Sequence, residues 1–211
     1  MQDFRRQFLE HCIEAQILQF GQFTLKSGRI SPYFFNAGRF CQGESLAQLG
    51  RYYAHAIRDA RISFDMFFGP AYKGIPLAAA VAIAYADFFG ENLPFCFNRK
   101  EVKTHGEGGH LIGAPLKGRV LTIDDVLSAG TATREAIGII DEAGAEAVGL
   151  AVALDRQEFG QDNVPAAREL ADDFHMQVIS IATLDDLIEL LDTDKDRENY
   201  ERVLEYRAQY S

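Results

Sequence analysis

Short apolar runs alternating with amphipathic stretches constrain this chain more than any other feature. Strand-like segments at Phe64–Phe68, Phe95–Asn98, Val120–Ile123, Val148–Leu154 and Val178–Ile181 are interleaved with helical spacing near Ser45–Asp59, Ile75–Phe89, Thr131–Ala143 and Val164–Phe174. This order predicts an α/β fold with a central, mainly parallel sheet flanked by helices, because parallel neighbours need a crossover and a helix usually supplies it. Ligands of such sheets collect at the carboxyl ends of the strands. Before the alternation, an amphipathic helix is expected from about Asp3 to Phe20, then two extended segments at Phe23–Lys26 and Tyr33–Asn36. After it, the acidic stretch Asp185–Tyr200 reads as two further helices with solvated charge. At 211 residues and 47% hydrophobic, with no repeat and no long linker, a single domain over 1–211 is expected.

One run within that pattern carries chemistry. Val120–Ile123 reads as a buried strand with Asp124 and Asp125 at its expected end. The small residues Ser128, Ala129, Gly130, Thr131 and Ala132 follow, and a helix starts at Thr131. A glycine-bearing loop at a helix N-terminus offers unpaired N–H groups and the positive end of the dipole to an anion. Hydroxyls of Ser128, Thr131 and Thr133 add donors. Each hydrogen bond to a charged phosphate contributes about 1.5–3 kcal/mol, so a few hold a phosphomonoester without a lysine in the loop. Asp124 and Asp125 would repel that phosphate and suit the vicinal hydroxyls of a sugar instead. No G-x-G-x-x-G follows a strand, and Gly113–Gly118 leads into Arg119 and Val120 where a Walker loop needs Lys and Ser or Thr.

Other segments carry weaker signals. Gly69-Pro-Ala-Tyr-Lys-Gly74 turns sharply after a strand and projects Lys73, which suits a diphosphate and equally suits an ordinary turn. Arg99 to Gly109 is the most polar stretch, with Lys100, Lys103 and His105 ahead of three glycines, and reads as a flexible lid or a solvated loop. Of the adjacent Phe34 and Phe35, a strand would turn only one inward. Arg156, just past a strand, can grip a carboxylate or pair at the surface with Asp155 or Glu158. A net charge of −10 argues against general nucleic-acid affinity, so an anionic ligand must meet locally placed cations. Cys12, Cys41 and Cys96 form neither a zinc pattern nor a disulfide framework, and no signal peptide or membrane span is visible, so a reducing cytoplasm fits best.

Five segments together resemble the type I phosphoribosyltransferases, and among them the orotate-using enzymes. They are FTLKSGRISPYFFNAG from Phe23, FFGPAYKGIPLA from Phe67, FNRKEVKTHGEGG from Phe97, VLTIDDVLSAGTAT from Val120 and LDRQE from Leu154, in the family's order and spacing. Ser128 departs from the pattern, since threonine is common there in the bacterial enzymes; the hydroxyl is kept and a methyl lost. The resemblance implies the type I phosphoribosyltransferase fold, with a small hood built largely from about residues 20–40 and a flexible loop over about 99–110. It implies transfer of a 5-phosphoribosyl group from phosphoribosyl diphosphate (PRPP) to orotate, giving orotidine 5′-monophosphate and diphosphate in de novo pyrimidine synthesis. PRPP would be held by Lys26, Tyr72, Lys73, Arg99, Lys100, Lys103, His105, Asp124, Asp125, Val126, Leu127, Ser128, Ala129, Gly130, Thr131 and Ala132. Orotate would be held by Lys26, Phe34, Phe35, Ser128 and Arg156. Lys103, His105, Asp124 and Asp125 would be catalytic, and Mg²⁺ would be held mainly by PRPP and water, with no direct protein ligand. A homodimer is implied in which Arg99, Lys103 and His105 serve the neighbouring subunit's site. A purine-specific relative and a PRPP-binding regulator without catalysis are the alternatives. The Phe34-Phe35 pair disfavours the first, and the loop cations on an acidic chain disfavour the second.

Overall fold

The computed structural model describes the chain apart from residues 26–27, 104–108 and 194, with backbone alone over 101–103 and 109. Lys26 and His105 therefore lie outside the described residues, as does the side chain of Lys103. A six-stranded sheet forms the centre, in the order β5 (Gly109–Gly113), β4 (Phe95–Lys103), β3 (Met66–Gly69), β6 (Arg119–Leu127), β7 (Glu146–Asp155) and β8 (Gln177–Thr183). Every neighbouring pair is parallel except β4 with β5.

Strand alternation sorts the core onto two faces. Phe67, Leu121, Ile123, Ala151, Ala153 and Ile181 face one side, where they meet α2 (Gly43–Asp59) and α3 (Gly74–Phe89). Met66, Phe68, Val120, Leu150 and Val152 face the other, against α4 (Thr131–Glu142) and α5 (Ala166–Phe174). That period-two split is what a parallel sheet covered on both faces requires. Helices α1 (Asp3–Glu14), α6 (Leu184–Leu191) and α7 (Arg197–Tyr210) extend the first layer through buried Phe8, Leu9, Leu187 and Val203.

A second, two-stranded antiparallel sheet pairs β1 (Leu18–Thr24) with β2 (Ile30–Phe35). Here the structure corrects two expectations. The first helix stops at Glu14, not Phe20, because the backbone turns at Gln16 with φ of +55° and the apolar residues Leu18 and Phe20 enter β1. The last helix covers 197–210 and so lies mostly beyond Asp185–Tyr200. Its charge is solvated on one side only, since Val203 and Tyr206 are buried. A third difference concerns β4, which runs past Asn98 to Lys103, so that Arg99, Lys100 and Lys103 stand on an edge hairpin closed by β5. Antiparallel pairing lets polar residues sit in a strand, because one face can remain in water.

Candidate active site

The strand carrying the two aspartates does not end at Ile123. It continues to Leu127, because β7 supplies ladder partners as far as Leu127 opposite Asp155. On its other edge β3 pairs only as far as Phe68 opposite Thr122. Beyond Thr122, then, β6 is bonded on one side and open on the other. That gap is a crevice at the carboxyl ends of the strands, where ligands of such sheets bind.

Asp124 and Asp125 stand on this half-open strand. Tyr53 donates its hydroxyl to the Asp124 carbonyl at 2.6 Å, and the Asp125 amide donates to the Asp124 carboxylate at 2.9 Å. Burial, reinforced by the Asp125 charge, pushes the Asp124 carboxyl above the usual range, while the Asp125 amide and Lys73 pull it back. Asp125 is 8% exposed and accepts from Lys73 Nζ at 2.5 Å. After β6 the chain passes Ser128 and Ala129 to Gly130, whose φ of +79° is a left-handed conformation natural to glycine. Gly130 is the N-cap of α4, and no side chain caps it. The first amides of α4 are thus left for a ligand.

Lys73 is placed by the turn between β3 and α3. Gly69 and Gly74 are obligatory there: a Cβ on Gly69 would lie 2.3 Å from the Gly74 carbonyl oxygen, and one on Gly74 2.8 Å from that of Ile123. The Ala71 amide donates to the Asn98 side chain at 2.7 Å, which ties this turn to β4. Tyr72 is exposed and lies 5.2 Å from the Lys100 ammonium, so the two form one surface beside the crevice.

A cavity of about 790 Å³ joins these parts to the β1–β2 sheet. Its wall includes Lys73, Asp125, the whole of Val126 to Thr133, and also Phe34, Phe35 and Arg156. Phe34 is partly exposed and stacks on Phe23 with ring centroids 5.5 Å apart, while Phe35 is buried against Phe8 and Phe40. Alternation in the strand thus separates the two rings as expected. Asp124, Tyr72, Arg99 and Lys100 stand outside the cavity wall, though Asp124 is adjacent to Asp125.

The base of the cavity differs from the surface ion pair that Arg156 could have made. Arg156 does pair with Glu158, at 2.6 Å, but both are buried, at 3% and 2% exposure. Burial alone would lower the Arg156 pKa; Tyr33, Glu158 and Tyr206 around it outweigh that and move it up. Arg29 reaches the same carboxylate at 3.0 Å. Thr24, Leu25, Arg29 and Glu158 complete the wall; the sequence offers Glu158 as a possible ion-pair partner of Arg156 and as the end of the LDRQE segment, with no binding role. Tyr206, behind Arg156, lies beyond the Asp185–Tyr200 stretch and carries no signal in the sequence.

No group of three or more His, Cys, Asp or Glu side chains converges on a metal-sized site among the described residues. Of the two carboxylates here, Asp125 is already paired with Lys73. This donor set fits a divalent ion whose ligands come mainly from a phosphorylated substrate and water. Among the described residues no helix is long and apolar enough to cross a membrane, and Cys12, Cys41 and Cys96 are unpaired.

Comparison with known proteins bears directly on this site. The phosphoribosyl transferase domain family matches residues 41–165, which hold the β3–α3 turn, β6 and the start of α4. Orotate phosphoribosyltransferase from Thioalkalivibrio sulfidiphilus is 57% identical over 211 residues, covering 100% of this chain and 99% of its own length. The protein of the same name from Pseudomonas aeruginosa is 56% identical with the same coverage. Among solved structures, orotate phosphoribosyltransferase from Francisella tularensis superposes with a TM-score of 0.85 at 39% identity, over 97% of this chain and 99% of that one. Leishmania donovani UMP synthase gives 0.78 at 26% identity, over 97% of this chain and 42% of that one.

Proposed function

Because the chain belongs to the phosphoribosyltransferase family, as one of its orotate phosphoribosyltransferases, we propose that the cavity transfers a 5-phosphoribosyl group from PRPP to orotate. The products are orotidine 5′-monophosphate and diphosphate, a step of pyrimidine synthesis. The observation that carries this reading is one cavity wall shared by an uncapped helix N-terminus, an aspartate, a lysine, a half-exposed aromatic ring and a buried arginine.

Displacement at the anomeric carbon develops positive charge on the ribose and negative charge on the leaving diphosphate. Ser128 to Ala132 hold the 5-phosphate through backbone amides and hydroxyls. Asp124 and Asp125 accept hydrogen bonds from the ribose hydroxyls and stabilise the positive sugar; Lys73 faces the diphosphate. Arg99, Lys100, Lys103 and His105 extend that cationic side with Tyr72 beside them, and Lys26 serves both PRPP and orotate. Phe34 and Phe35 border the planar base, and Arg156 takes one of its carboxylate or carbonyl oxygens, with Ser128 nearby. Magnesium would supply charge that neutralises the diphosphate and would be held mainly by PRPP and water, with no direct protein ligand. The protein's part is positioning and fixed electrostatics, with no covalent nucleophile.

The β1–β2 sheet acts as the hood over the base, and the segment at about 99–110 acts as a closing loop. Two subunits share their sites, Arg99, Lys103 and His105 serving the neighbour, and the protein works in the cytoplasm. The deciding assay follows loss of orotate absorbance with PRPP and Mg²⁺, beside adenine, hypoxanthine and uracil. Turnover of orotate alone is expected; turnover of another base without orotate overturns the substrate assignment. Sharing is tested by mixing inactive Lys103→Ala and Asp125→Asn chains: activity returns in verified heterodimers, and its absence refutes sharing. Lys103→Ala by itself is expected to lower turnover far more than PRPP binding, and equal losses would exclude a transition-state role.

A further inference from the structure

Three side chains hold one edge of the Arg156 guanidinium. Its Nε donates to Glu158 Oε1 at 2.6 Å, and its Nη2 donates to Ser31 Oγ at 3.0 Å and Tyr206 Oη at 3.2 Å. Tyr206 then donates to the same Glu158 oxygen at 2.6 Å, which closes a ring of hydrogen bonds. Tyr33 supplies a face, its centroid 4.2 Å from the guanidinium carbon. The second Glu158 oxygen accepts from Arg29, whose guanidinium lies 5.1 Å from the Tyr210 ring. Nη1 of Arg156 has no hydrogen-bond partner among the described residues, although Arg156 is 3% exposed and lines the cavity.

Nη1 is not among the buried polar atoms that lack a partner, so it opens on the cavity, where an acceptor on a ligand can meet it. The Arg156–Glu158 pair does little for stability, because desolvation of both charges offsets their attraction. What a closed ring does achieve is direction: it fixes a planar fork before the ligand arrives, so less rotamer freedom is lost on binding. We propose that Glu158 and Tyr206 are positioning residues that aim Arg156 at the orotate oxygen it binds, so that the seat of α7 sets affinity for the base and not for PRPP. This rests on orotate being the base, as proposed above.

Steady-state kinetics of the full chain test it, with Tyr206→Phe as the mild variant. That change keeps the ring against Tyr33 and Tyr210 and removes only the hydroxyl. The expected result is a rise of about five- to tenfold in KM for orotate, with KM for PRPP within about twofold of wild type. Glu158→Gln is expected to act in the same direction and more strongly. In an Arg156→Gln background Tyr206→Phe adds no further rise, since it acts through Arg156. An unmoved KM for orotate, equal rises for both substrates, or full additivity on Arg156→Gln overturns the proposal. If the wild-type chain turns over orotate while these variants behave like it, positioning alone fails. If wild type does not use orotate, the assignment of the base fails and this proposal falls with it.

Discussion

The two ends of the cavity are built in opposite ways. The end to which the proposed reading assigns the sugar phosphate comes from one uninterrupted run, Val120 to Thr133, whose chemistry lies in backbone amides, small residues and two neighbouring carboxylates. The end to which it assigns the base draws Ser31 and Phe34 from β2, Arg156 and Glu158 from beyond β7, and Tyr206 from α7, with Arg156 bonded to partners 125 and 50 residues away. A phosphate is met by geometry that a strand, a loop and a helix start create locally. A planar base needs groups converging from several directions, which only packing between distant elements provides. The difference teaches that one end can be altered residue by residue, while the other responds as a unit.

Substitutions at the two ends should therefore separate cleanly. Asp125→Asn removes charge from the sugar end while keeping shape, and kcat/KM for PRPP is expected to fall roughly a hundredfold to a thousandfold. A fall below tenfold in the same assay would break the assignment of the carboxylates to the sugar.

A second probe touches the base end through Asp155, which is 8% exposed. Burial pushes its carboxyl up to about 6 from 3.8, although the Gln157 amide pulls the other way. A carboxyl raised on folding contributes stability below its unfolded pKa, and that contribution is lost as pH rises through the folded value. The window is therefore about pH 4 to 6, and at about 1.4 kcal/mol per unit the loss is at most about 3 kcal/mol. Urea unfolding should show Asp155→Asn gaining on wild type as pH rises from about 4 to about 7. A constant difference across that range would contradict it.

Gly130→Ala tests the loop. A side chain at φ of +79° is strained by about 1–2 kcal/mol whatever the space. KM for PRPP should rise about five- to tenfold with KM for orotate nearly unchanged, and parallel changes in both would blur the division between the ends. The smallest effect is expected from Ser128→Thr, which restores a methyl on a partly buried residue of the cavity wall and keeps the hydroxyl. Either KM should move by less than about threefold.

Legibility followed the same division. The alternation of strands and helices appears at nearly the expected positions, because apolar periodicity is a local property of the chain. Aspartates, loop and helix start were readable together because they are contiguous. Less readable was the reach of β6, since whether a strand continues past Ile123 depends on whether β7 still offers partners. The end of the first helix at Glu14 also escaped, because Leu18 and Phe20 fit helical spacing until β2 claims them for β1. Arg156 stood out in the sequence and lines the cavity, but its buried partners were not legible, for nothing near residue 156 points to residue 206.

By itself, then, the sequence determined the layered sheet and the glycine-bearing loop between β6 and α4, since both follow from residue periodicity and from dihedral freedom at particular glycines. Tertiary structure alone decided where the crevice opens, by stopping β3 opposite Thr122 while β7 continues to Asp155. It also decided which way Arg156 faces. Burial left that cation only partners that packing could bring to it, and packing brought Glu158, Ser31 and Tyr206 to one edge.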